Sequence, residues 1–510
     1  MISPGTQAIG ERLITMADRR HGDAGEPARG RRAHTLRASG NDGTALAVDP
    51  HAGDPGRRSG PPQLIFATFR AVYDRTPGNG DSAPARWAAW TSTGQRSETH
   101  ARPKPCRRGH FIPPPPLCPD SQLNGGGTPT GPTLGITARS GKENERRQPI
   151  HPLHLDRLDP ALRSRVYLER GYGERFGVPD EHLAPLVAGL LSRDEIIARC
   201  DVVLILKPQP DDLKQMRPGQ TLWGWPHCVQ DPEITQLAID GRLTLIAFEA
   251  MNHWTPDGGF ALHVFHKNNE LAGYSSVLHA LALTGATGAY GRRRRAAVIS
   301  FGATGRGAVT ALNAHGVHDV DILTQRGVSA VGSPIHSARI VHFDRHPDDP
   351  ARTRVLTDDG LVPAAAFLAR HDIIVNCVLQ DPGNPLMFAT TGDLPLFPSG
   401  TLVVDVSCDA GMGFEWARPT SFDDPMYTVG GNVRHYGVDH SPSYLWDSAT
   451  WEISEALLPH LPTVLAAPAA SAPKTDTIIE RAVEIRDGVV QNPDILSFQH
   501  RSPTYPHPRL

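Results

Sequence analysis

Ala296-Ala-Val-Ile-Ser-Phe-Gly-Ala-Thr-Gly-Arg-Gly-Ala308 runs from an apolar segment into glycines at 302, 305 and 307, and then into a helical pattern. Glycine permits a tight turn and lets backbone approach a pyrophosphate closely. The helix that follows offers N–H groups and a positive dipole end. The spacing predicts a strand, a turn and a helix that together bind a dinucleotide. The order is G-x-x-G-x-G and not the commoner G-x-G-x-x-G, and a lone triplet would also fit a plain turn. Its place inside an alternating α/β pattern favours the binding reading.

A second apolar run, Val320 to Leu323, follows at the distance expected of the next strand. It ends in Thr324-Gln325-Arg326, where an NAD enzyme usually places an acid on the ribose 2′-hydroxyl. A neutral hydroxyl and a guanidinium suit a 2′-phosphate instead, through charge-assisted hydrogen bonds. The expected cofactor is therefore NADP, with NAD the alternative. Asp321 is a rival acid, but it lies within the strand. The candidate cofactor contacts are Gly302, Thr304, Gly305, Arg306, Gly307, Thr324, Gln325 and Arg326.

Outward from this centre, apolar runs recur with helical spacers. Strands are expected at 201–207, 243–248, 296–301, 320–323, 339–342, 373–377 and 402–406. Helices are expected at 161–171, 270–288, 448–465 and 476–486. This alternation argues a parallel sheet with helices on both faces. Residues 1–130 differ: they are rich in Gly, Pro, Arg and Ser and lack sustained periodicity. Such a segment buries too little surface to offset its chain entropy, so a disordered or non-native N-terminal extension is expected there.

The net charge of −3 points to neither nucleic acid nor an anionic membrane. No apolar run reaches the roughly 18–20 residues needed to span a bilayer, and no secretory h-region is visible near Met1. Six cysteines without a C-x-x-C pair fit a reducing cytoplasm. His263 and His266 lack a third ligand, so no metal is expected, and Arg292 to Arg295 reads as a solvated loop.

Several further motifs stand in order: Lys142-Glu-Asn-Glu-Arg-Arg147, Leu206-Lys207-Pro208, Trp223-Gly-Trp-Pro-His227, Asp405-Val-Ser-Cys-Asp409, Arg418-Pro-Thr-Ser-Phe-Asp-Asp-Pro425 and Val438-Asp-His-Ser-Pro-Ser443. With the glycine turn, they make the chain from about 134 onward resemble the alanine dehydrogenase, pyridine nucleotide transhydrogenase and saccharopine dehydrogenase superfamily. Within it, the likeness is greatest to N(5)-(carboxyethyl)ornithine synthase-like proteins. The resemblance implies an α/β fold of two domains, with a Rossmann dinucleotide-binding domain inserted into a discontinuous α/β substrate domain. The expected boundaries are 131–275 and 441–492 for the substrate domain, 276–440 for the Rossmann domain and 493–510 for a tail.

The resemblance also assigns roles. Lys207 and His227 become a catalytic pair, Arg147 a substrate-carboxylate ligand, and Asp409 a catalytic acid near the nicotinamide. Asp439 and His440 line the nicotinamide end of the cleft. A lysine after a buried strand and an imidazole near neutral pH suit proton transfer, and a planar fork suits a carboxylate. The expected reaction is reductive condensation of an amino acid with a keto acid. Alanine dehydrogenase chemistry with ammonia, saccharopine-type chemistry, and dinucleotide binding without turnover are the alternatives. The expected partners are these small molecules and a second copy in a homo-oligomer.

Overall fold

Valine-, leucine- and isoleucine-rich segments form six parallel strands of a first sheet. They are β1 (Leu134–Ile136), β2 (Val166–Glu169), β3 (Gly189–Leu191), β4 (Val202–Leu204), β5 (Thr221–Gly224) and β6 (Thr244–Ala247), in the order β3-β2-β1-β4-β5-β6. Along β4 and just beyond it, Val202 and Leu204 enter one apolar core while Val203 and Ile205 enter another. The sheet is thus covered on both faces, which is why these strands read as unbroken apolar runs. The winding reverses between β1 and β4, and there the loops leaving the carboxyl ends diverge to open a crevice. This computed structural model describes residues 131–326, 338–346, 349, 352–381, 384–466 and 477–510. The extension expected over 1–130 lies outside them.

A hairpin of β7 (Asn252–Trp254) and β8 (Phe260–His263) precedes the long His266–Leu283 helix, which leads into a second lobe. Its sheet begins with β9 (Arg295–Ile299), β10 (Asp319–Thr324), β11 (Ala338–Arg345), β12 (Thr353–Thr357), β13 (Gly360–Pro363) and β14 (Ile373–Asn376). It continues through β16 (Thr401–Asp405), β18 (Met426–Val429) and β19 (Val433–Tyr436), while β15 (Met387–Ala389) and β17 (Gly413–Phe414) pair apart. The order is β13-β12-β11-β10-β9-β14-β16-β19-β18, and β11 through β19 are parallel. The six central strands repeat the winding of the first sheet, with the reversal between β9 and β14. The Ala303–Ala314 helix lies backbone to backbone on the His266–Leu283 helix: a Cβ at Gly307 would sit 1.7 Å from the Glu270 carbonyl oxygen.

The chain then returns. Ile453 and Leu457 of the Trp446–Leu457 helix are buried in the first lobe's core. The helix expected over 448–465 breaks at Leu458–His460, where Pro459 and Pro462 cannot supply backbone N–H groups. The helix expected at 476–486 is only Thr477–Arg481; β20 (Val483–Arg486) and β21 (Val489–Val490) follow and add antiparallel to the free edge of β6. Pairing that open edge outweighs the local helical pattern. The helix expected at 161–171 gives way in the same manner. It is Pro160–Arg163 and then β2, whose Val166 and Leu168 are buried beside β1. The 493–510 stretch packs beneath the first sheet, with Ile495 fully buried. Among the described residues, no helix is long and apolar enough to cross a membrane.

Candidate active site

The first crevice gathers four loops, one from the carboxyl end of each of β1, β4, β5 and β6. Beyond β4 and β5 the chains stay together, with Ile205 N–H bonding the Trp223 carbonyl at 3.1 Å and Trp225 N–H bonding the Leu206 carbonyl at 3.0 Å. Only glycine allows this approach, because a Cβ at Gly224 would lie 1.9 Å from the Ile205 carbonyl oxygen. The result is that Lys207 Nζ stands 2.8 Å from His227 Nε2. His227 has left-handed backbone (φ +50°), and its N–H donates to Glu249 Oε1 at 2.7 Å.

Burial first, and then the Arg147 charge, lower the Lys207 ammonium to about 8, while Glu145, Asp439 and Glu249 pull it back up. The Lys207 charge, and then burial, push His227 well below the usual imidazole value. At neutral pH the shared proton therefore rests on the lysine, and Nε2 of a neutral His227 accepts from it. Glu249 is raised to about 8 by burial and by its neighbour Glu484.

Arg147 is buried, whereas Arg146 is exposed. Its Nε and Nη2 pair with Glu145 at 2.8 and 2.5 Å, Nη1 donates to Asn268 at 3.1 Å, and the guanidinium lies over Trp225. One face of the fork is thus committed to a carboxylate from the protein. Of the five guanidinium N–H groups, Glu145 takes two and Asn268 one, which leaves one each on Nη1 and Nη2. Burial opposes ionisation of Glu145, but Arg147 holds its carboxyl below the ordinary range. Glu145 and Glu249 were not singled out from sequence. The signal for Glu249 was present: it follows a buried strand, as Lys207 does.

The second crevice carries the remaining candidates. After β9 the left-handed turn residue is Ser300 (φ +75°), not a glycine. Gly302 has nothing within 4 Å of a built Cβ, so it faces open space at the helix N-terminus; Thr304, Gly305, Arg306 and Gly307 form the first turns of that helix. After β10, Thr324 is buried and its Oγ1 accepts from Arg326 N–H, while Gln325 is exposed. Arg326 Nη2 donates to the Phe301 carbonyl at 2.9 Å, and Arg306 lies over the Phe301 ring. The rival acid Asp321 is consumed elsewhere, by His371 at 2.9 Å and Arg339 at 2.8 Å. After β14, Leu379 is 97% exposed. After β16, Asp409 is raised to about 6 by burial and by Asp405. The neighbouring Cys408 is pushed up by burial and by Asp405, Asp439 and Asp409, and held back by Lys207.

Asp439 and His440, after β19, join the two crevices. Asp439 Oδ2 pairs with Lys142 Nζ at 2.9 Å, Oδ1 bonds His440 Nδ1, and His440 Nε2 donates to the Glu143 carbonyl at 2.7 Å. Ser443 Oγ donates to the Asn144 carbonyl and accepts from Arg146 N–H, each at 2.7 Å. Burial disfavours the Asp439 charge, yet His440 and Lys142 hold its carboxyl well below the usual range. Lys207, His227, Arg147 and Asp439 thus converge, and the glycine turn and Asp409 stand on the opposite lobe.

A dinucleotide fits this second crevice: an uncrowded glycine opens a helix N-terminus, Arg306 stands on the first turn of that helix, and Arg326 and a bare leucine stand on the loops around it. The fold and site define a two-lobed oxidoreductase that uses a nicotinamide dinucleotide. Family profiles described as "Alanine dehydrogenase/PNT, N-terminal domain" and "Alanine dehydrogenase/PNT, C-terminal domain" match residues 137–272 and 355–493. The chain belongs to the alanine dehydrogenase/PNT family. It is 24% identical to an N(5)-(carboxyethyl)ornithine synthase of Clostridium botulinum (strain Hall) over 62% of this chain and 90% of the relative. It is 23% identical to an alanine dehydrogenase of Methanococcus maripaludis over 62% and 84%, respectively. Among solved structures, an L-alanine dehydrogenase superposes with a TM-score of 0.58 at 21% identity, covering 72% of this chain and 98% of that one. A transhydrogenase from Sinorhizobium meliloti gives 0.53 at 20%, covering 70% and 99%.

Proposed function

We propose that the protein catalyses NADPH-dependent reductive condensation of an amino acid's amine with a 2-keto acid, giving an N-(carboxyalkyl) amino acid. The 2.8 Å contact between Lys207 and His227 carries this reading. The keto acid's carboxylate takes the remaining N–H groups of Arg147, and its carbonyl oxygen takes a hydrogen bond from Lys207. As the C–N bond forms, Lys207 gives its proton to that oxygen, and His227 Nε2, freed by this transfer, accepts the proton that the attacking amine sheds and passes it to Lys207 across their contact. Lys207, with a proton affinity near neutrality, protonates the hydroxyl that departs as water. Gly302 and the helix N-terminus behind it would hold the dinucleotide, whose reduced nicotinamide would supply hydride to the imine carbon. Asp409 orients the reacting carbon, and the loops on both lobes exclude water that would return the imine to its carbonyl.

Two observations favour an amino acid over ammonia and NADP over NAD. Lys142 and Asp439 form a half-exposed pair of opposite charges beside the catalytic pair, which matches the charged head of an amino acid and has no use for ammonia. The end of β10 presents Arg326 and no free carboxylate. Free cysteines at 200, 228, 377 and 408 suit a reducing compartment, and we assign the cytoplasm. A screen following loss of reduced-nicotinamide absorbance, pairing keto acids with ammonia or with amino acids of different chain length, tests the reading. Turnover with an amino acid and NADPH is the expected result. Turnover with ammonia alone refutes the substrate, and dinucleotide binding without any turnover refutes the enzyme.

A further inference from the structure

Where β20 meets β6, the register slips: Val483 stands opposite Ile246, yet Ile485 stands opposite Leu245. One residue of β6 is thus spanned by two of β20, and Glu484 is the extra one. The cores confirm the slip. Val483 belongs to the core on one face of the sheet and Ile485 to the core on the other, although residues two apart on a regular strand share a face. A bulge of this kind re-aims a side chain next to a site. Here the side chain is a carboxylate that is 4% exposed, beside the carboxyl end of β6, from which Glu249 follows two residues later.

The surroundings of the two acids are sparse in donors. Glu484 Oε1 accepts from Asn492 Nδ2 at 3.1 Å, and the carboxylate also accepts from the Cys228 thiol. Glu249 Oε1 accepts from His227 N–H. Oε2 of Glu249 and Oε2 of Glu484 are both buried without a hydrogen-bond partner. The charged and titratable groups facing Glu484 are Glu249, Cys228 and Asp494; those facing Glu249 are Glu484, Cys228, Lys207 and His227. Two carboxylates with orphaned oxygens and no cation of their own are costly when both are ionised, and a single proton held between them removes most of that cost.

We propose that Glu484 is a positioning residue. Delivered by the bulge, it shares one proton with Glu249 and so keeps Glu249 neutral behind His227, which holds down the basicity of the Lys207–His227 pair. The inference rests on the dehydrogenase reading for its kinetic consequence but not for the proton itself. Burial raises both carboxyls, and the Glu484 charge raises Glu249 further, which agrees with it.

The test is Glu484→Gln, read in two ways. Infrared titration of the intact protein needs no turnover. A protonated-carboxyl band present at neutral pH and lost as the pH passes about 8 is expected in the wild type, and its loss at lower pH is expected in E484Q. No such band at neutral pH in the wild type overturns the proposal, even where E484Q does not fold. With a turned-over substrate, Glu249 ionises in E484Q and places a charge beside His227 and Lys207. The break in the kcat/KM profile belonging to that pair should then move up by about one pH unit. A uniform loss of kcat/KM at every pH, with the break unmoved, marks a merely structural side chain and also overturns the proposal. Absence of turnover in both proteins, with the band present, refutes the dehydrogenase reading while supporting the carboxyl pair.

Discussion

Glu145→Gln removes the partner of a guanidinium that has almost no contact with water: the side chains are 0% and 3% exposed. Glu145 takes two of Arg147's hydrogen bonds, Asn268 takes a third, and Trp225 covers one face. Breaking a buried pair from one side typically costs about 3–5 kcal/mol, because a charge is left uncompensated. Glutamine keeps one acceptor, so we expect about 3 kcal/mol. The pH dependence has a definite sign. Glu145 titrates below its ordinary 4.5 in the folded protein, so its contribution is full above about pH 4.5 and is lost as the pH falls through the folded value. Denaturant unfolding at neutral pH should show the full gap between wild type and variant, and the gap should close only under acid. A gap under about 0.5 kcal/mol at neutral pH, the scale of an exposed pair, refutes the buried-pair account. There is also a kinetic signature. Glu145 is an anion that raises Lys207, so its removal should move the lysine's break in the pH profile downward. Glu484→Gln moves the same break upward.

Lys207→Met should lower turnover by about 10²- to 10⁴-fold, while NADPH binding followed by fluorescence changes less than about twofold; retained turnover removes the lysine from the mechanism. Arg326→Ala should lower kcat/KM with NADPH by about 10- to 100-fold, the worth of a charge-assisted hydrogen bond, and leave the value with NADH nearly unchanged. Equal effects on the two cofactors would show that Arg326 serves only to hold the Phe301 carbonyl.

The parallel sheets were legible because strands buried on both faces cannot alternate polar with apolar residues, and Val202 to Leu206 and Ile373 to Cys377 carry that mark. The first-lobe site was legible in part by position, since Lys207 and His227 each follow a strand. Three things were hidden. Residues 166–169 and 483–486 form strands only because a neighbouring edge pairs with them, a non-local demand that a local window does not contain. The use of Ser300 as the left-handed residue ran against the expectation that glycine supplies such a turn; the glycines here serve clearance, toward Glu270 and toward open space. The partner of Arg147 stood two residues away in the sequence, but adjacent opposite charges in a polar loop look the same whether solvated or sealed. Only burial separates the two readings.

The proton affinity of Lys207 shows why neither lobe is an active site alone. Burial is its largest influence, and segment 438–443, which carries Asp439, is pinned to loop 142–147 through Lys142–Asp439, His440 to Glu143, and Ser443 to Asn144. Arg147, which drives the proton off, and Glu145, which retains it, come from the first lobe; Asp439, which also retains it, comes from the second. A lysine on an isolated first lobe would lose the Asp439 charge, which helps retain the proton, and so would be pushed further below its ordinary 10.5. Two sheets wound in the same order, each opening at its own reversal, would on the proposed reading supply the nicotinamide's seat and the acid–base pair separately. Lys142, Asp439 and His440 join the openings, and through Asp439 the second lobe adds its own charge to the balance at Lys207.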